Sequence, residues 1–398
     1  MLLRFIICVY LCSSVASSDL LIRNATIIDV SSGAAIPHRS ILIRGTRIAA
    51  IGDTVHAPKQ IRIVDGNGKF VIPGLWDMRV HLTGREQLPV YVAFGVTGVR
   101  DLGSDYDRVN LWRGEMQKGK LIGPHIETCG PLLDGVASSG LAVRVVRTPA
   151  EARGIFDQLD GESVDFIGLL PRLPRDAYFA LLERARKYYS VVAGDVPASV
   201  SVLEAVEARQ KSIDHMPGLP LACSTEERRF REPYIQAMER GDPEALDDVV
   251  TAALETFSVE KANALFQRMV LFETRSVPVL LNLRQREKFA GLVLSMQRAG
   301  VTILAGSDSS KPGPALQDEL ALLVEGGLTT AQALRSATLE PAKYLDAAAS
   351  LGTVEQGKTA DLVILDADPL LDIRNTRKIS GVVLAGKYLS GNFLHPRR

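Results

Sequence analysis

The sequence is poor in the residues that build the commoner catalytic devices. Its 398 residues include six histidines and four cysteines. No C-x-x-C pair occurs, which removes the usual case for a cysteine-held zinc site. No G-x-S-x-G occurs either; Ser307 and Ser309 merely flank Asp308, so a serine nucleophile has no signature here. Charge of one sign is not in excess: Lys+Arg and Asp+Glu both number 46, so no net field draws the chain to nucleic acid or to an anionic membrane. Nucleic acid is therefore excluded as a partner. No apolar run approaches the ~20 residues needed to cross a bilayer. Low-complexity runs and internal repeats of about 20 to 50 residues are also missing, which excludes solenoids and propellers.

What is present is an ordinary globular balance, 46% hydrophobic and 23% charged, in a chain long enough to bury a large core. The first residues, MLLRFIICVYLCSSVASSD, carry one Arg, a short apolar run from Phe5 to Cys12 and a small-x-small site at Ser14-Val15-Ala16. That is the pattern of an export signal over residues 1–18, predicting a periplasmic or secreted protein with no membrane attachment once the signal is removed. Cys8 and Cys12 lie within it, leaving Cys129 and Cys223 in the remaining chain, either paired or free.

Residues 19–70 read as short β-rich runs broken by turns, with Gly66-Asn67-Gly68 as one turn signal, and residues 349–398 read the same way. The two chain ends are expected to build one small β-sandwich domain together. Between them, over 71–348, short apolar strands alternate with helices, which predicts a parallel sheet. Strand candidates fall at 71–81, 96–102, 124–129, 164–170, 190–195, 212–215, 276–283 and 301–308. Thr148 with Glu151, Ser201 with Glu204 and Thr329 with Gln332 fit the capping box that opens a helix. Strands and helices in this number are the content of an α/β fold of the (β/α)8 TIM-barrel type, with a doubly wound open sheet as the competitor. The charged text between 217 and 275 predicts a helical insertion at the barrel mouth.

In such a barrel, chemistry sits at the C-terminal ends of the strands. Four candidate strands end in a residue able to bind a metal or move a proton: His81, Asp195, His215 and Asp308. Arg79 lies two residues before His81, on the same face of its strand, and a buried charge there needs a partner. Taken singly, His215 is an ordinary core histidine and Asp308 an ordinary helix cap. Caps and core histidines have no reason to converge on one rim, however.

The motifs VIPGLWDM, GVTGVRDLG, GPHIETCGPLL, KSIDHM, LAGSDSS and GTVEQGKTADLVILDADPL together resemble the amidohydrolase superfamily, in the subgroup near imidazolonepropionase and metal-dependent prolidases. The resemblance implies one or two divalent metals held by an H-x-H on strand one, a lysine on strand four, histidines on strands five and six, and an aspartate on strand eight. Here these positions fall on Arg79 and His81, Gly168, Asp195, His215 and Asp308. Three of them, Arg79, Gly168 and Asp195, depart from the family pattern. The remaining histidines are His38 and His56 in the β domain, His125 at the start of a strand and His395 in the tail, so no binuclear site can be assembled.

The resemblance implies hydrolysis of a C–N bond in a small molecule such as a dipeptide or N-acyl amino acid. Two expectations follow for the site. In one, a single divalent ion, zinc by its ligand set, is held by His81, Asp195, His215 and Asp308, with Asp308 moving protons and Arg79 orienting the substrate. In the other, Arg79 takes the deep metal position, pairs with Asp308 or Asp195, and leaves a metal-free pseudoenzyme or binding protein. A homo-oligomer is compatible with either.

Overall fold

The computed structural model describes residues 19–138, 140–283 and 286–394. The export signal expected over 1–18 lies outside the described residues, as does His395. Among the described residues, no helix is long and apolar enough to cross a membrane.

The two chain ends meet in one hydrogen-bonded sheet of eight strands. Leu20–Asp29 lies at its centre, flanked by Ala34–Arg44 on one side and by Arg62–Asp65 and Phe70–Pro73 on the other. Leu362–Leu365 from the far end pairs with Phe70–Pro73, and Ile379–Leu384 continues the order. Alternation of Ile22, Ile41, Ile43, Leu362 and Ile364 supplies its apolar core. The expected β domain built from both termini is therefore present.

The chain enters the barrel at Gly74, which splits the run 71–81 into two strands. Phe70–Pro73 belongs to the terminal sheet, and β1 (Leu75–Val80) opens the barrel. It is followed by β2 (Val96–Asp101), β3 (His125–Thr128), β4 (Ile167–Leu169), β5 (Val192–Gly194), β6 (Ser212–Asp214) and β7 (Arg275–Val277). β1 pairs with β2 and β2 with β3, while β4 to β7 pair in succession, all parallel. Leu132–Asp134 prolongs the third strand and joins it to β4. Segment 301–309 closes the ring through parallel bridges from Ile303 to Ser276 and from Ser309 to Val80. The Asp308 amide donates to the Arg79 carbonyl at 2.8 Å, which fixes the eighth position against the first. Gly306 permits that approach, since a Cβ there would lie 2.7 Å from Val277 and 3.0 Å from Arg79.

The helices start where their side chains satisfy free amides. Ser201 and Thr329 each form the full reciprocal box with Glu204 and Gln332. At Thr148 the box is half formed: the hydroxyl accepts from the Glu151 amide, while the Glu151 carboxylate reaches the Arg147 amide. Outer helices such as Pro149–Glu162 and Arg175–Tyr188 bury Phe156, Leu159, Tyr178 and Leu181. The stretch between β6 and β7 is helical, with Gly218–Cys223, Glu227–Arg240, Pro243–Glu255 and Val259–Leu271. Arg231 on the second of these donates to the carbonyls of Ala198 and Val200 beyond β5, which lays the insertion over the C-terminal rim.

The seventh strand is shorter than its apolar text suggests. Pro278 has no amide to donate, and Val279 turns the chain at φ 53° into a 3-10 turn over Leu280–Asn282. Cys129 and Cys223 are free and buried in separate apolar clusters.

Candidate active site

β1 carries Arg79 inward as a nearly dry cation, 2% exposed. Its Nε donates to Asp308 Oδ1 at 2.8 Å and its Nη1 to Asp214 Oδ2 at 2.9 Å, with Asp195 Oδ1 at 3.7 Å. Both expected partners are in place, and Asp214, which the sequence reading passed over, joins them. Burial alone would lower the pKa of Arg79, but Asp195, Asp308 and Asp214 outweigh it and hold the guanidinium charged.

Asp214 also serves a second buried cation. Arg100 on β2 donates to Asp214 Oδ2 at 2.5 Å, to Ser212 Oγ at 2.9 Å, to the Tyr344 hydroxyl at 3.1 Å and to the Met78 carbonyl at 2.6 Å. Burial would raise the pKa of Asp214; the two guanidiniums reverse the sign and push it below its ordinary value. A charge inside an apolar strand must be paired, but Arg100 and Asp214 each adjoin another polar residue at the strand end, which masks their burial.

Above this layer lies the rim, where Asp308 is the common partner. Its Oδ1 faces His81 Nε2 at 2.9 Å, and its Oδ2 faces His215 Nε2 at 3.2 Å. Each imidazole is anchored by its other nitrogen: His81 Nδ1 donates to the Leu102 carbonyl and His215 Nδ1 to Asp195 Oδ1 at 2.7 Å. Asn282 donates to Asp308 Oδ2 at 3.2 Å. All four rim residues of the sequence reading thus converge. His215 and Asp308 hold left-handed backbone, φ 64° and 50°, a conformation that aspartate and histidine adopt more readily than most residues.

Opposing effects set the protonation of this rim. For Asp308, burial pushes upward, but the Arg79 charge and then the bonds from His215 and His81 hold the carboxyl far below the usual range. For His215, burial and Arg79 push down, yet the Asp195 carboxylate and the bonds to Asp195 and Asp308 prevail, raising it to about 9. At neutral pH the pair is a carboxylate beside an imidazolium.

The position that the family resemblance assigns to a strand-four lysine is closed. A Cβ on Gly168 would lie 2.6 Å from Cys129 Sγ and 2.8 Å from Leu132 Cδ2, so an apolar plug fills that side.

Fold and rim define the class: a (β/α)8 barrel with a terminal β domain and a polar cluster at the C-terminal ends of its strands, as hydrolases of this architecture carry. The sequence model of the Amidohydrolase family matches residues 70–389, and the chain belongs to that family. An adenine deaminase of Kosmotoga olearia is 26% identical over 365 residues, 88% of this chain and 55% of that protein. One from Thermosipho africanus is 24% identical, with 94% and 60% covered. The chain thus spans somewhat more than half the length of these curated relatives. An N-acyl-D-aspartate deacylase of Alcaligenes xylosoxydans is 37% identical over 141 residues, 33% of this chain and 28% of that one. Among solved structures, a Xaa-Pro dipeptidase with bound methionine superposes at TM-score 0.72, with 21% identity and 94% and 100% of the two chains covered.

Enzymes of this family hydrolyse carbon–nitrogen bonds and generally use divalent metals. The donors of this chain do not fit one. Among the described residues, no group of three or more His, Cys, Asp or Glu side chains is arranged to hold an ion. The Asp308 oxygens are engaged by Arg79, His81, His215 and Asn282. A dication at Asp308 would sit beside a guanidinium, where each pair of unit charges 4 Å apart costs about 4 kcal/mol in partly shielded surroundings, so roughly twice that.

Proposed function

We propose that this protein hydrolyses a C–N bond of a small molecule, a dipeptide or N-acyl amino acid, with Arg79 standing in the deep position as a built-in cation. The observation that carries the reading is the convergence of Arg79, His81 and His215 on Asp308 at the C-terminal rim. The names of the relatives, a dipeptidase and a deacylase among them, support the substrate class. The signal-like text of residues 1–18 carries the further proposal that the chain is exported to the periplasm or medium.

The chemistry is a general acid–base pair. Asp308 holds the attacking water and takes its proton as the oxygen bonds to the carbonyl carbon. His215, an imidazolium, gives its Nε2 proton to the departing nitrogen, and the C–N bond breaks to leave a carboxylic acid and an amine. Asp308 then returns its proton to His215 across their 3.2 Å contact, restoring the starting state. A carboxylate so acidic is a weak base in the resting site, but it gains proton affinity relative to water as the water loses its electron pair to carbon. Arg79 keeps Asp308 ionised in the resting site, favours the return of its proton after turnover, and fixes its orientation.

A second reading, ligand binding without turnover, is favoured by how far the Asp308 carboxyl is held below its usual range. Chelator-treated protein assayed against dipeptides, N-acyl amino acids and adenine separates the two. Turnover that survives chelation and vanishes in Asp308→Asn is expected. Heat of binding without product would establish the second reading, and turnover that appears only on adding Zn²⁺ or Mn²⁺ would overturn the metal-free mechanism.

A further inference from the structure

We propose that Asn282 is a positioning residue for Asp308, and that buried Glu319 holds it in place through the turn after β7. The inference rests on the hydrolase reading for its kinetic consequence, though not for its geometry. Glu319 is fully buried on helix Ala315–Glu325, which follows the eighth barrel position. Its two carboxylate oxygens accept the consecutive backbone amides of Leu280 at 2.9 Å and Leu281 at 2.8 Å. These amides open the 3-10 turn Leu280–Asn282 and would otherwise be orphans.

The clamp works against strain. Val279 enters the turn at φ 53°, a region in which a β-branched residue is an outlier and persists only where its surroundings enforce it. Glu319 supplies that enforcement, and the result is one side chain delivered to the rim. Asn282 is exposed, yet its Nδ2 reaches Asp308 Oδ2 at 3.2 Å and lies 3.4 Å from the Asp308 carbonyl. This is the same oxygen that faces His215 Nε2. The amide therefore fixes the rotation of the Asp308 carboxylate, keeping Oδ2 toward His215 and Oδ1 toward Arg79 and His81. The mechanism above needs that rotation in the proton return between Asp308 and His215. No charge is added, and the family pattern of metal ligands on the strands gives Asn282 and Glu319 no part.

Two variants test it: Asn282→Leu, which removes the donor from an exposed side chain and leaves the core intact, and Glu319→Gln, which turns one acceptor toward an amide donor. The ring ¹⁵N signals of His215 report on Asp308 without any need for activity. They are expected to move in the same sense in both variants, with the double variant moving no further than Asn282→Leu. Where the protein turns over substrate, kcat falls about ten- to a hundredfold, the loss expected for one bond to a charged group, while KM changes less than about twofold. Unmoved His215 signals in Asn282→Leu would overturn the inference, and movement in Asn282→Leu alone would remove Glu319 from it. A KM rise with kcat unchanged would make Asn282 a substrate contact and overturn the positioning role. Shifted signals in a protein whose wild type shows no turnover would sink the hydrolase reading and leave the geometry standing.

Discussion

The inner and outer layers of the barrel mouth hold charges of the same kinds and treat them in opposite ways. In the inner layer, the side chains of Arg79, Arg100 and Asp214 are exposed by 2%, 0% and 0%. All three lie on regular strands, and the cations close on a carboxylate that they share. At the rim, His81, Asp308 and His215 expose 14%, 17% and 27% of their side chains, and two of the three sit on left-handed backbone. The inner layer spends its charges on one another and is a fixture. The rim keeps edges open toward whatever enters, and its left-handed residues still give their amides to neighbouring strands, His215 to Val277 and Asp308 to Arg79. A dry layer of two guanidiniums and one carboxylate, with a charge of +1 left over and Arg79 turned toward the rim, is what lets Asp308 stay ionised without a metal.

Removing one partner from each layer breaks the comparison most sharply. Asp214→Asn preserves shape but leaves two guanidiniums short of a buried counter-charge, which costs about 3–5 kcal/mol. Urea unfolding should show it directly. Asp308→Asn sits where solvent and two imidazoles can adjust; a stability loss of roughly 1–2 kcal/mol is expected, together with loss of turnover. If the two variants were equally destabilised, the division into a structural layer and a working layer would fail.

The sequence made the rim legible and the inner layer only partly so. Strand alternation placed His81, Asp195, His215 and Asp308 at strand ends, because a barrel strand ends where its apolar run ends and the first polar residue faces the mouth. Arg79 was legible as a charge in need of a partner. Its main partner in the dry layer was not, because Asp214 adjoins His215 in SIDH and reads as the polar end of the strand, whereas it is the strand's last buried residue. Arg100 was hidden in the same way beside Asp101. Asn282 and Glu319 could not be read, since their link runs through backbone amides that only the turn at Val279 presents. The seventh strand looked longer than it is because apolar text does not record where Pro278 ends the ladder.

The strand-four position extends the comparison to a site where the departure from the family pattern is apolar. Gly168→Ala would press its methyl against Cys129 and Leu132, and overpacking of this kind costs about 2 kcal/mol. Cys129→Ala removes the nearer atom, so the double variant should lose less than the sum of the two singles, as expected for residues in contact. Strict additivity in thermal or urea unfolding would show that the plug is not tight. Gly168→Lys with Arg79→His is expected to leave metal binding unrestored, because the lysine has no room to reach the mouth while the plug stands.

A pH-dependent effect also separates the layers. His215 is raised to about 9 from an ordinary value of 6.5, so its contribution to stability is complete below pH 6.5 and is lost as pH climbs through 9. A shift of that size, discounted for the partial exposure of the ring, corresponds to about 2 kcal/mol. Asp77, raised to about 6 by burial, and Glu319 and Glu127, each raised to about 7 by burial, also make stability fall with rising pH, but their windows close near pH 7. Asp101 and Asp134 are raised by burial too, so between pH 7 and 9 the histidines act on a background of buried carboxyls. His125, paired with Asp361 at 2.9 Å against the terminal sheet, is raised as well, through that carboxylate prevailing over burial. Comparing the slope in His215→Gln and His125→Gln assigns it. The rim accounts for the slope if His215→Gln flattens it while Asp214→Asn, destabilised throughout, keeps it, and a slope carried by His125 instead would move the pH sensitivity from the mouth of the barrel to its seam with the β domain.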